Sequence, residues 1–290
     1  VGSVDETPKL LESYGNRIIT RRYANAGVAV SMSRGLELAG GDFVAFMDHD
    51  DIWYKDKLKK QIEALSKYPE AGFACCNYVV RPPGMGGRLV RHFSKLPFLK
   101  HLDAEGPFLK NPLPPLLLEN FVGTSSAVLV NRAVAKKVGA FNGNYKITGD
   151  YDYWLRCALE TSFVVVPEIL FYKRTHATNI SANRIRMLLE HGDILESFFR
   201  THRARIAENA LLESYCLGAA SIYYELGDLY FEEKKILKTF SFYRKAWAAW
   251  PSPSNFFKFI LTVLKKLIRF LTFDLVKRRN LKKISGSVVP

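Results

Sequence analysis

The sequence predicts an α/β domain with a mostly parallel central sheet, followed by an all-α C-terminal extension. Three observations carry this. Apolar runs of strand length alternate with stretches of helical periodicity from residue 17 to residue 166. The apolar run Phe43 to Met47 stops at Asp48, Asp50 and Asp51, where the carboxyl end of a strand in such a sheet binds ligands. From about Arg184 onward only helical patterning remains.

Taken in order, Arg17 to Arg22 reads as a short strand, and Gly27 to Ala39 as a helix with Val28, Met32, Leu36 and Ala39 at helical spacing. The strand into Asp48 follows. Lys55 to Tyr68 reads as an amphipathic helix with Leu58, Ile62 and Leu65 on one face. Gly72 to Val80 is the next strand. Arg81 to Glu119 breaks the alternation: Pro82-Pro83-Gly84, Gly86-Gly87 and Pro112, Pro114 and Pro115 mark long loops of the kind that handle substrate. Gly123 to Val130 reads as a strand, Arg132 to Val138 and Asp150 to Glu160 as helices, and Phe163 to Val166 as a strand. In the helical part, Tyr223, Leu226, Gly227, Tyr230, Tyr243, Ala246 and Pro251 fall at the spacing of one tetratricopeptide unit, with Thr239 departing from it.

Composition narrows the classes. The 290 residues carry a net charge of +14, and residues 256–290 alone carry +8. Nucleic acid is not the expected partner, because no aromatic-and-basic reader motif accompanies the charge. The cysteines Cys75, Cys76, Cys157 and Cys216 have no zinc spacing and suggest no disulfide framework, so a reducing compartment is expected. The N-terminus carries no signal-peptide pattern, and Val1 to Asp5 reads as mid-domain sequence.

Three clusters carry chemistry. Asp48, Asp50 and Asp51 repel one another unless a cation joins them, and a hard divalent ion with a phosphate ligand is the simplest one. The bland alternative is a cap on the following helix. In Thr148 to Arg156, Asp150 reads either as a helix cap with Asp152 in the first turn, or as a carboxylate general base raised in pKa by an aromatic wall. In Tyr172-Lys173-Arg174-Thr175-His176, the cations suit phosphate and the imidazole suits a divalent metal, or His176 is a hydrogen-bonded structural residue.

Together these clusters resemble a family 2 glycosyltransferase of the GT-A fold, over residues 1–183. The resemblance rests on Gly2 to Thr7, Asn25-Ala26-Gly27, Asp48-His49-Asp50-Asp51, Gly123 to Ser126, Gly139-Ala140-Phe141, Gly149 to Arg156, and Tyr172 to His176. It implies a nucleotide-sugar-binding domain that is N-terminally incomplete, an inverting metal-assisted transfer to a glycan or lipid-linked hydroxyl, and a UDP-sugar as donor. By resemblance Asp150 is the base, and Asp50, Asp48 and His176 hold the metal, Mn2+ or Mg2+. Asp48, Asp50, Asn25, Gly27 and Arg34 bind the donor, and Asp51, Trp53, Asp152 and Arg156 lie near donor or acceptor. The sequence departs from the family at Val1, at Met32-Ser33 in place of Arg-Asn, and at Gly149 in place of an acid. The alternative is a catalytically impaired transferase-like domain acting as a binding or scaffold protein.

Residues 184–255 then form the tetratricopeptide-like extension, and residues 256–290 a basic amphipathic tail. Lys258, Lys265, Lys266 and Arg269 interrupt the apolar run of the tail, which argues against a spanning helix. The tail either lies on an anionic membrane surface or docks on the helical unit. A polysaccharide-forming enzyme of the cell envelope, cytoplasmic and peripheral at the inner face of the membrane, is the expected setting.

Overall fold

A computed structural model describes residues 3–81, 89–96, 98–176, 179–207 and 209–251, and residues 260, 261 and 264. The chain divides into two compact units, Val1–Thr201 and His202–Pro290. The membrane-binding role of the tail falls almost wholly outside the described residues. Among the described residues no helix is long and apolar enough to cross a membrane.

Among the described residues the first unit has seven strands: β1 (Phe43–Ala45), β2 (Ile52–Trp53), β3 (Ala71–Val80), β4 (Val90–Arg91), β5 (Phe108–Leu109), β6 (Val128–Asn131) and β7 (Ser162–Lys173). Its helices are α1 (Thr7–Glu12), α2 (Val28–Leu38), α3 (Lys57–Lys67), α4 (Phe98–Glu105), α5 (Leu113–Leu118), α6 (Arg132–Val138), α7 (Gly149–Glu160) and α8 (Arg184–Thr201). The sheet order is β1-β6-β3-β7-β2, with β4 added to β3 and β5 to β7. The α/β class holds, but the sheet is not mostly parallel. Of the six pairings among the described residues, only β3 with β7 is parallel. The strand–helix–strand alternation does orient β1 and β3 alike. However, β6 inserts between them and runs against both.

Other expectations shift for local reasons. Residues 18–27 form neither helix nor strand, because no strand among the described residues pairs with them, and Ile19 is 73% exposed. The stretch 81–119 is not one irregular loop, since α4 and α5 lie within it. Gly123 to Ala127 is not strand: Gly123 takes φ +78°, a 3-10 turn follows over Ser125–Ala127, and β6 begins only at Val128. A Cβ at Gly123 would lie 2.5 Å from the Tyr78 hydroxyl, so both backbone and space demand glycine there. In α3 only Leu65 of the apolar stripe is buried, whereas Leu58 is 39% and Ile62 41% exposed. The buried face carries Lys57, Gln61 and Leu65 instead.

The core lies between the sheet and α7. Phe73 on β3 stacks on Phe163 of β7 at 3.9 Å and meets Trp154 of α7 at 5.3 Å. Phe141 stacks on Tyr153 at 3.9 Å. Tyr151, Tyr153, Trp154 and Leu155 are all buried, so most of the circumference of α7 packs into the core, leaving its charged residues to the remaining face. The four cysteines are free thiols. The first unit reaches past residue 183 to include α8. Glu190 of α8 explains why: its carboxylate accepts the N–H groups of Lys146, Ile147 and Thr148 at 2.9, 2.8 and 2.6 Å. Burial pushes this carboxyl up, but those bonds outweigh it and hold Glu190 below its ordinary pKa.

The second unit contains α9 (Arg203–Ile206) and the helix pair α10 (Asn209–Glu232) and α11 (Ile236–Ala249). Tyr230 stacks on Phe242 at 5.3 Å, and the Tyr243 hydroxyl donates to Asp228. Gly227 lets the two helices close: a Cβ there would sit 2.3 Å from the Tyr243 ring. Gly227→Ala should gain up to about 1 kcal/mol of helix propensity. It must also displace a buried aromatic ring, which costs about 1–3 kcal/mol. The expected net result is a lowered unfolding midpoint for this unit, read by circular dichroism during thermal unfolding.

Candidate active site

Two antiparallel pairings deliver the acids to one place. Ala45 pairs with Leu129, so the chain just past β1 runs beside the chain just before β6. Asp48 thereby meets the Thr124–Ser126 turn. Ile52 pairs with Tyr172, so the residues before β2 run beside those after β7. Asp50 and Asp51 thereby meet Arg174 and His176. Asp150 enters from the first turn of α7, whose preceding loop Glu190 fixes.

Each acid has its own environment. Asp48 accepts the Thr124 hydroxyl at 3.0 Å on one oxygen and the Ser125 hydroxyl at 2.8 Å on the other. Asp50 Oδ2 lies 3.1 Å from His176 Nε2 and accepts Asn179 Nδ2 at 3.0 Å. Burial pushes the Asp50 carboxyl up, but its own backbone amide and His176 outweigh this and hold it below the usual carboxylate range. Asp51 is 5% exposed and leaves Oδ2 without a hydrogen-bond partner. Desolvation therefore dominates and raises its pKa, with Ser126 and Lys173 opposing. Asp150 keeps a partly open face, and its Oδ1 accepts the Tyr151 N–H at 2.9 Å. Desolvation lifts its pKa to about 7; Lys173 opposes the rise and Asp48 adds to it. Asp50 and Asp51 do not cap α3, whose cap position is Asp56, and Thr148, not Asp150, stands at the cap position of α7.

Lys173 acts electrostatically on both Asp51 and Asp150, so its ammonium is the local counter-charge. The structure thus brings together Asp48, Asp50, Asp51, Asp150 and His176. Asp152 and Arg156 are committed elsewhere. Arg156 binds Asp152 at 2.9 Å and donates to the Val138 and Ala140 carbonyls at 2.9 and 3.0 Å, tying α7 to the end of α6. Trp53 lies on β2 over the Lys57 ammonium, 3.9 Å away. Asn25 accepts the Gly27 N–H at 3.0 Å, setting Gly27 at φ +88° before α2, and Arg34 stacks on Tyr23 at 4.4 Å. Sequence reasoning missed the roles of Thr124, Ser125, Ser126, Asn179 and Glu190, whose partners lie far away along the chain or depend on loop geometry.

A divalent cation fits this donor set only in part from the protein. One carboxylate oxygen of Asp50 and one imidazole nitrogen of His176 converge, and Asn179 bridges them. Among the described residues no group of three or more His, Cys, Asp or Glu side chains converges on a metal position. Two protein ligands with the remainder left to phosphate and water is the mode of a cation bound together with a diphosphate.

Comparison with known proteins bears on the fold that carries this site. The family model described as Glycosyl transferase family 2 matches residues 2–139. The match lies within the first unit, and through it the chain is similar to the glycosyltransferases of this family. An uncharacterized glycosyltransferase of Rickettsia prowazekii is 26% identical over 211 residues, covering 69% of this chain. The chain spans 60% of that relative's length. The UDP-Glc:alpha-D-GlcNAc-diphosphoundecaprenol beta-1,3-glucosyltransferase of Escherichia coli is 27% identical over 203 residues, 68% of this chain and 72% of that protein. A mannosyltransferase of Pyrobaculum calidifontis, solved with GDP-Man and Mn2+, shares the fold with a TM-score of 0.52 and 14% identity, over 92% of this chain and 69% of that one. The mixed sheet with flanking helices is the GT-A architecture.

Proposed function

We propose that this chain transfers a sugar from a nucleotide-diphosphate donor to a hydroxyl of a cell-surface glycan or lipid-linked acceptor, with inversion and with a divalent cation. The observation that carries the reading is Asp150, a carboxyl raised to about 7 beside Asp48 and Lys173 and reached by the same sheet end as Asp50 and His176. A base of that pKa is matched to take a proton from an attacking hydroxyl near neutral pH. Asp50 and His176 would hold the cation, with Asn179 fixing the imidazole against Asp50. When bound, the cation neutralises charge that develops on the leaving diphosphate, so no acid is needed on that side. Asp48 orients the donor. Asp150 acts from the face opposite the leaving group, which gives inversion.

The Escherichia coli relative, by its name, uses a UDP-sugar and a lipid-linked acceptor, which supports the same classes here. The Mn2+ in the Pyrobaculum structure supports Mn2+ as the first metal to try, and Mg2+ as the second. We place the enzyme in the cytoplasm, peripheral at the inner face of the membrane, where such acceptors are presented. A non-catalytic reading has one observation in its favour. Met32-Ser33 stands where the resemblance implies Arg-Asn, so a nucleotide-contacting cation is missing, and the Ser33 hydroxyl is engaged by the Phe141 N–H at 3.0 Å and the Ala29 carbonyl at 2.9 Å.

Calorimetric titration with UDP and GDP, with and without Mn2+, tests the proposal. Mn2+-dependent binding of one nucleotide is the expected result. Absence of binding to both overturns it in favour of the scaffold reading.

A further inference from the structure

The Thr124–Ser126 turn is built as a holder for one side chain. Its three hydroxyl residues are buried, at 3%, 3% and 0% exposure. Thr124 and Ser125 each donate to a different oxygen of Asp48, and Ser126 Oγ accepts the Asp48 backbone N–H at 2.9 Å. With one hydroxyl on each oxygen, a single orientation of the Asp48 carboxylate satisfies both. Ser126 also lies against the Asp51 carboxylate and opposes the effect of its burial.

The turn is itself braced from below. Gln61 of α3 donates to the Ala127 carbonyl at 2.9 Å and to the Ala74 carbonyl of β3 at 3.3 Å. Its Oε1 accepts the Lys57 ammonium at 2.8 Å, and that ammonium sits under Trp53. Lys57 is 0% exposed, and an ion so placed costs stability relative to an apolar side chain of the same shape. Leu58 and Ile62, one position along α3, face solvent while Lys57 and Gln61 fill the interior. This arrangement is poor for stability alone. It does link the strand after the acids, the central strand and the hydroxyl turn through one network, and such networks fix geometry.

We infer that Thr124, Ser125 and Ser126, braced by Gln61 and Lys57, are positioning residues that set the orientation in which Asp48 meets the donor. The inference rests on the assignment of Asp48 to donor binding. None of these residues is assigned contact with the reacting atoms; they act through Asp48.

The test compares Thr124→Val, which keeps the shape and loses the hydroxyl, with Thr124→Ser, which keeps the hydroxyl. Affinity for UDP and GDP with Mn2+ is measured by calorimetry, alongside the thermal midpoint. Thr124→Val should weaken nucleotide binding about tenfold, the effect of losing one hydrogen bond to a charged group. Thr124→Ser should bind within about twofold of the parent, since that bond is retained. Gln61→Met should weaken binding in the same direction although it touches neither Asp48 nor nucleotide. Unchanged binding in both Thr124→Val and Gln61→Met, with only the midpoint lowered, overturns the inference and leaves the transferase reading intact. Failure of the parent chain to bind either nucleotide overturns both.

Discussion

Asp150→Asn should cut sugar transfer by about a thousandfold, within the range a positioned general base supplies, while nucleotide affinity stays at the parent value. The amide keeps the shape and can still accept the Tyr151 N–H that the carboxylate accepts at 2.9 Å, so the first turn of α7 is retained. What is lost is the ability to hold a proton. The pH profile of the parent enzyme is tied to the same group. Desolvation raises the Asp150 pKa to about 7, so kcat/KM should fall about tenfold per pH unit below that point as the base is protonated. Stability should move the other way. A carboxyl whose folded pKa lies above its unfolded value destabilises the fold as pH rises through that window, and the penalty is complete above about 7. Asp150→Asn should therefore raise the unfolding midpoint at pH 8, and the gain should shrink between about 7 and 4. Asp152→Asn is the control. It weakens the 2.9 Å ion pair with Arg156 and costs about 1–2 kcal/mol of stability, yet should retain transfer. Full transfer in Asp150→Asn would remove the base assignment and turn attention to Asp152.

The distinction between Asp150 and Asp152 was not legible in residue type or spacing, since both sit in the first turn of α7. Their partners separate them: Asp152 faces Arg156 one turn along α7, whereas Asp150 faces Asp48 and Lys173, which lie far away along the chain. The same holds elsewhere. Strands β1, β3 and β7 and helices α2, α3, α6 and α7 were legible, because apolar runs and periodicity are local signals. Strand direction is not local, so the insertion of β6 against β1 and β3 could not be read from alternation. That insertion is what carries Thr124, Ser125 and Ser126 to Asp48. The inner face of α3 was not legible for a related reason. Hydrophobicity places Leu58 and Ile62 inward, but Lys57 and Gln61 have interior partners on β3 and the 3-10 turn that only the fold supplies. The order of the acidic and histidine motifs was legible. Their convergence at 3.1 Å between Asp50 and His176 follows from β2 pairing with β7.

Asp50→Asn should abolish Mn2+-dependent binding of UDP and GDP, with a loss on the order of a thousandfold in affinity for the metal-bound nucleotide. A unit charge about 4 Å from another contributes about 4 kcal/mol in a partly shielded protein site, and each 1.4 kcal/mol is tenfold. The two neighbouring carboxylates Asp50 and Asp51 should respond differently to the same change, and that contrast separates a metal ligand from a merely acidic loop. Asp50 is held below its ordinary pKa, so its charge stabilises the fold above the unfolded pKa, and that contribution is lost as pH falls through the folded value. Asp50→Asn should thus lower the midpoint slightly at neutral pH while removing metal dependence. Asp51 is raised by burial and has an oxygen without a partner, so its charge opposes folding at neutral pH. Asp51→Asn should raise the midpoint and keep metal-dependent binding. Removing His176 as His176→Ala should weaken the metal-dependent component and leave metal-free binding unchanged, because Asp50 retains Asn179 at 3.0 Å and remains aimed at the same point. If Asp50→Asn and Asp51→Asn lowered metal-dependent binding equally, the cation would be responding to the net charge of the loop, and the pairing of Asp50 with His176 would have no specific part in holding it.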